Sequence, residues 1–220
     1  MKRFSHVVAA AALLVMPASS MLAQTIYVTG SGPIAIPDNT GTLAACQSIN
    51  VPDSVIISDV NVEFTAEHSW VGDLTFRLMS PASTMLTLVN RPGRTGTGAG
   101  FSDDYITSVP IILNDTGNAM FPAERIGDDT LGCTSGDIDG TGGCPTVYMP
   151  APDTSDTPIG GVGTNLADFN GENSLGTWML CVGDSAGGDT GTLTSWRLGI
   201  NLASDPMTSL PVELQSFSVE

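Results

Sequence analysis

The sequence predicts an all-β protein, a single-domain jelly-roll β-sandwich, on three observations. Apolar and polar residues alternate with period two in several short runs, turn residues punctuate the intervals between them, and no stretch carries the 3.6-residue period of an amphipathic helix. The chain has 220 residues, and the portion beyond its leader is long enough for one domain with a real core.

The leader comes first in the chain. Lys2 and Arg3 precede an apolar run from Val7 to Met16, followed by the small residues Ala18, Ser19, Ser20 and Ala23. This reads as a secretory signal peptide over residues 1–23, with cleavage after Ala23 or Ser20 equally arguable; the competing reading is a buried core helix. The run is too short to span a bilayer, and no later stretch reaches the roughly 20 apolar residues a membrane helix needs, so no membrane span is expected.

Charge narrows the partners. Of 7 basic residues, Lys2 and Arg3 lie in the leader, leaving 5 arginines against 23 acidic residues, a net of −18. Such a surface repels phosphates and anionic headgroups, so nucleic acid is excluded as a partner and divalent cations become plausible ones; colloidal solubility explains the same charge. An even cysteine count behind a signal peptide suggests two disulfides. Three pairings of Cys46, Cys133, Cys144 and Cys181 exist. Cys133 and Cys144 bracket a flexible Gly- and Asp-rich loop that benefits from closure, which pairs them and leaves Cys46 with Cys181. Zinc is the weaker alternative, because closely spaced thiolate or imidazole pairs are missing.

In order, Thr25 to Val28 is a short β-rich run, and Pro37-Asp38-Asn39 ends a strand. From Ile56 to Phe64 the even positions Ile56, Val60, Val62 and Phe64 are apolar while Asp59, Asn61 and Glu63 are polar, which predicts a strand with one wet face. Val71-Gly72-Asp73 then turns the chain into Leu74, Phe76 and Leu78 on one face and Thr75 and Arg77 on the other. Ser80-Pro81 is a turn and Met85 to Val89 a strand, so residues 56–89 read as consecutive antiparallel strands. The glycine-rich loop from Arg91 to Gly100 lacks the following helix and the Lys-Ser/Thr ending of a phosphate cradle. Val109 to Leu113 is a buried strand, and Asn114 to Pro158 a turn-dense, variable surface. Trp178, Leu180 and Val182 share a face, as do Trp196, Leu198, Ile200 and Leu202, so two alternating strands close the domain. Cys181 lies opposite Trp178, so its bridge would strap the N-terminal segment over the outside of that strand.

These blocks together resemble the P domain, also called the Homo B domain, of subtilisin-like proprotein convertases and many secreted bacterial proteins. The resemblance rests on Ile36-Pro37-Asp38, on His68 to Leu74 with Ser80-Pro81, on Phe101 to Asp104, on Phe169-Asn170-Gly171, on Gly176 to Asp184 and on Gly191 to Leu198, all in order. It covers about Ile26 to Leu202, so the domain is placed at 24–202 and residues 203–220 are a tail or linker. It implies a jelly roll of about eight strands and a usual neighbour, a subtilisin-type catalytic domain. No such neighbour accompanies it in this sequence. His68, Trp70, Gly72, Trp178 and Trp196 are then structural positions, with His68 setting a corner.

Three functions follow as expectations. The first is a secreted, non-catalytic module for protein interaction or stabilisation; the second is an accessory domain of a subtilisin-like serine endopeptidase system. The third, a hydrolase in its own right, ranks last, because a serine-protease triad needs a nucleophile, a histidine base and a carboxylate, and after the leader His68 is the only histidine. Adjacent Asp103 and Asp104 point to opposite faces if extended and make a poor glycosidase pair. Calcium is the one cofactor expected, since it accepts carboxylates, carbonyls and water in irregular loops. Its candidate ligands are Asp103 and Asp104, meeting Asp73 if the glycine loop folds back, and Asp184 with Asp189; each could instead cap a turn. Asp137-x-Asp139-Gly140 resembles part of a calcium loop but lacks the terminal glutamate. The tail from Leu210 to Phe217 resembles a segment that precedes sorting regions in secreted bacterial proteins, and its alternation allows an edge strand that pairs with another chain.

Overall fold

The computed structural model describes residues 25–29, 32–41, 44–95, 97–105, 109–115, 121–128, 146–150, 162–163 and 165–202. The leader, the Cys133–Cys144 pair, the Asp137–Gly140 motif and the tail lie outside these residues.

The described strands are β1 (Thr25–Val28), β2 (Ile34–Ile36), β3 (Ala45–Val51), β4 (Val60–His68), β5 (Leu74–Met79), β6 (Met85–Asn90), β7 (Ile111–Leu113), β8 (Phe121–Pro122), β9 (Val147–Met149), β10 (Val162–Gly163), β11 (Gly176–Asp184) and β12 (Gly191–Ile200). Among the described residues the only helical turns are short 3-10 turns at Val71–Asp73, Ala123–Arg125 and Leu166–Phe169. The strands form two sheets. Sheet A runs β1-β12-β4-β7-β9-β8, with β2 also paired to β12, and sheet B runs β10-β6-β5-β11-β3.

The sandwich core is where the alternating faces meet. Phe64 of sheet A stacks on Phe76 of sheet B with ring centroids 4.2 Å apart. Trp178, Leu180 and Val182 from sheet B, and Trp196, Leu198 and Ile200 from sheet A, are buried together. Fully burying such side chains stabilises the fold by roughly 1.5–3 kcal/mol each. Trp178 donates its indole N–H to the Ser174 carbonyl at 3.0 Å, and Phe169 leans on it at 5.3 Å.

Several expectations change here. The strand predicted from Ile56 begins at Val60 and runs on to His68; Ile56 itself is 57% exposed. Its predicted wet face is covered: Asn61 and Glu63 are both buried, because Arg197 on neighbouring β12 forks onto the Glu63 carboxylate and Asn61 donates to Asp59. Residues 56–89 are not one meander. Only β5 and β6 pair, while β4 lies in the opposite sheet beside β12. The last two strands also part company, β11 to sheet B and β12 to sheet A.

Cys46 and Cys181 are bonded, as expected, but as directly opposed residues of the antiparallel pair β3–β11, their Cα atoms 4.0 Å apart. The N-terminal segment is therefore no strap over β11; it is the strand beside it. Strand β3 went unread because its inward row is Ala45, Gln47, Ile49, Val51. Gln47 belongs inside because its amide N–H bonds the carbonyls of Gly32 and Leu193.

Candidate functional site

The blocks of sequence that carry the family resemblance are scattered over some 160 residues of chain, and many meet at one end of the sandwich. The 3-10 turn Val71–Asp73 lifts the chain from sheet A to sheet B there. His68, the last residue of β4, lies opposite Gly191 of β12. Its ring packs so closely on that glycine that an added Cβ would meet Cδ2 at 2.6 Å and the Glu67 carbonyl oxygen at 2.0 Å. This packing explains the glycine that opens β12.

His68 is 1% exposed. Its Nδ1 lies 2.9 Å from the Trp70 carbonyl oxygen and 3.1 Å from the Trp70 backbone nitrogen, so the Trp70 backbone holds that edge of the ring. Nε2 lies 3.4 Å from Oδ2 of Asp184, the final residue of β11. The other Asp184 oxygen accepts from the Ala186 N–H at 2.9 Å. Asp184 is wholly buried.

Beside this pair, Asp73 Oδ1 accepts from Arg91 Nη2 at 3.1 Å, and Arg91 Nε donates to the Gly72 carbonyl at 3.2 Å. Arg91 adopts a positive φ of 46°, uncommon for a residue with a side chain. Its N–H donates to the Leu74 carbonyl at 2.8 Å, and that bond with the two side-chain bonds holds it. Burial raises the Asp73 carboxyl above the ordinary carboxylate value; Arg91 opposes the shift, and the charges of Asp184 and Asp189 add to it. Asp189 accepts the Ser69 hydroxyl at 2.8 Å.

The glycine loop folds back on this corner. Val71 N–H donates to the Asp103 carbonyl, Gly72 N–H to the Phe101 carbonyl, and His68 and Tyr105 exchange both backbone bonds. Gly72 permits the contact, since a Cβ there would sit 2.7 Å from the Ala99 carbonyl oxygen and the Phe101 nitrogen. Trp70 pins the loop by donating its indole N–H to Ala99 at 3.0 Å.

The predicted carboxylates are thus grouped differently from the two separate places expected. Asp73 feels Asp184 and Asp189. Asp103 reaches the turn through its carbonyl, its carboxylate lying against Gly127, and Asp104 is half-buried next to it. Among the described residues no group of three or more His, Cys, Asp or Glu is arranged to hold a metal ion. Trp178 and Trp196 lie in the core between the sheets. Sequence reasoning missed Arg91 and Asp38. The latter accepts from Gly188 N–H across the turn that carries Asp189. Asp38 stood in the Ile36-Pro37-Asp38 block with no role assigned to it, and Arg91 was only an arginine before Pro-Gly.

At His68 and Asp184 the corner is closed to solvent. The imidazole is buried, and among the described residues no hydroxyl or thiol bonds to it. The hydroxyl of exposed Ser69 donates its hydrogen bond to Asp189 instead.

Residues 57–116 and 152–200 match the proprotein convertase P-domain. The chain belongs to that family. Among solved structures it is similar to a serine protease of Aeromonas sobria crystallised in complex with its chaperone, at 18% identity and a TM-score of 0.44, over 81% of this chain and 26% of that one. It is also similar to the serine protease of Aeromonas sobria, at 16% identity and a TM-score of 0.38, over 77% of this chain and 27% of that one. The chain therefore spans about a quarter of the length of these proteins. No curated protein matches it. No helix among the described residues is long and apolar enough to cross a membrane.

Proposed function

We propose that this chain is an exported, non-catalytic P-domain that acts as an accessory to a subtilisin-like serine protease, stabilising it or presenting it to other proteins. Membership of the P-domain family carries the reading. The corner supports its non-catalytic half, because a general base must come within hydrogen-bond reach of the proton it takes and the His68 ring is covered on all sides.

The test has two arms. The purified chain alone, incubated with casein, should release nothing; cleavage abolished in His68→Ala would overturn the non-catalytic reading. A serine protease that reacts with a fluorophosphonate probe should co-purify with the chain from its native secretome, and should lose activity on heating several-fold faster once the chain is removed. If no labelled protease co-purifies, the accessory role fails.

Calcium belongs to this proposal only at the rim of the corner, near half-buried Asp189 and exposed Asp38, because Asp73 and Asp184 already face Arg91 and His68. Excess chelator should then lower the melting temperature by roughly 3 °C, the size expected when a weakly held ligand is withdrawn from the native state. An unchanged melting curve would remove calcium from the reading.

A further inference from the structure

The outer face of sheet B carries two adjacent rows that neither the core nor the corner uses. In one, Met85, Met79 and Met179 stand in register across β6, β5 and β11, each half-buried. In the next, Thr87, Arg77 and Cys181 stand in register on the same strands, and Cys181 is bonded to Cys46.

Arg77 is the anomaly. It is 5% exposed, its Nε donates to the Thr87 hydroxyl at 3.1 Å, and its Nη1 is buried without a hydrogen-bond partner. Arg91, Arg125 and Arg197 each meet a carboxylate. Arg77 meets none among the described residues, in a chain with 23 acidic residues. Burial without a counter-charge lowers its pKa, yet a guanidinium keeps its proton in proteins. An unpaired buried cation is costly, and a carboxylate supplies the missing charge and the missing acceptor together.

We propose that this face docks a separate polypeptide that places a carboxylate on Arg77 and an apolar side chain on the methionine row. The two rows are two residues apart along β5, about 6.6 Å, the spacing of side chains i and i+2 in an extended chain. The occupant is therefore an extended segment of the form acid-x-apolar. Methionine suits such a surface, because its unbranched, polarisable side chain adapts to different partners. This inference rests on the accessory-module reading and names the surface through which it would work.

The experiment uses the full chain with methyl-labelled methionine, followed by NMR during titration with acetyl-Glu-Ala-Leu-amide and acetyl-Gln-Ala-Leu-amide. The methyl signals of Met79, Met85 and Met179 should shift with the Glu peptide while Met149, on sheet A, stays still. The Gln peptide should bind roughly ten-fold more weakly, the worth of one charge-assisted contact. Arg77→Gln should equalise the two peptides, and because the Glu-against-Gln comparison is internal to the wild-type protein it stands even if the variant fails to fold. Equal binding of both peptides, or no response from the three methionines, overturns the proposal. So does a change in the three methyl signals on Glu213→Gln in the full chain, which would give the face to the chain's own tail. A labelled protease that co-purifies while the methionines stay silent overturns this surface and leaves the accessory role intact.

Discussion

Asp73 shows how one residue can be both anchor and burden. Its carboxyl is raised in the folded state, so the native protein holds that proton more tightly than the unfolded chain does. The stabilising contribution is complete below the ordinary carboxylate range and is lost as pH rises through the folded value. When ionised, the group is held mainly by Arg91. Asp73→Ala should destabilise the domain by about 3 kcal/mol, read by urea unfolding at pH 7, because it strands the buried Arg91 cation. Asp189→Asn keeps an acceptor for Ser69 and removes one of the charges that raise Asp73. The Asp73 carboxyl signal in a carbon NMR titration should move to lower pH, and the variant should gain stability at pH 7 that disappears by pH 3; an unmoved signal would refute the coupling. The carboxylates themselves were readable as candidates in the sequence. Their grouping was not, since the cation that answers Asp73 arrives from Arg91, beyond a hairpin, and no local pattern announces it.

Among the elements, legibility followed the inward row. Strands β5, β11 and β12 were plain because Leu74-Phe76-Leu78, Trp178-Leu180-Val182 and Trp196-Leu198-Ile200 leave no doubt about which face is buried. Strand β3 was invisible because Gln47 occupies an inward position, satisfied by carbonyls that come from elsewhere in the chain. The assignment of β4 and β5 to different sheets was equally hidden, because period two says which face is wet and nothing about which strand is the neighbour. The disulfide holds edge strand β3 to β11 across a sequence separation of 135. Replacing Cys46 and Cys181 by serine should cost about 5 kcal/mol in denaturant unfolding, the scale set by closing a loop of this length. A loss below about 1 kcal/mol would mean that β3 is held by its backbone ladder and by Gln47 alone.

At the scale of the molecule, the two sheets and the blocks that mark the family are mutually consistent: the sheets build the core, and the blocks close one end of it. The β-sandwich was foreseeable because turn spacing and alternation suffice to predict it. The outer face of sheet B was not, because methionines and a single arginine on a polar face look like ordinary surface until register aligns them. The pairing of β1 with β12 places Thr25 opposite Ile200. The first described strand has its partner in the last described one, so this edge of sheet A cannot form until nearly all of the described residues have emerged from the ribosome. Pairings so distant in sequence also form slowly.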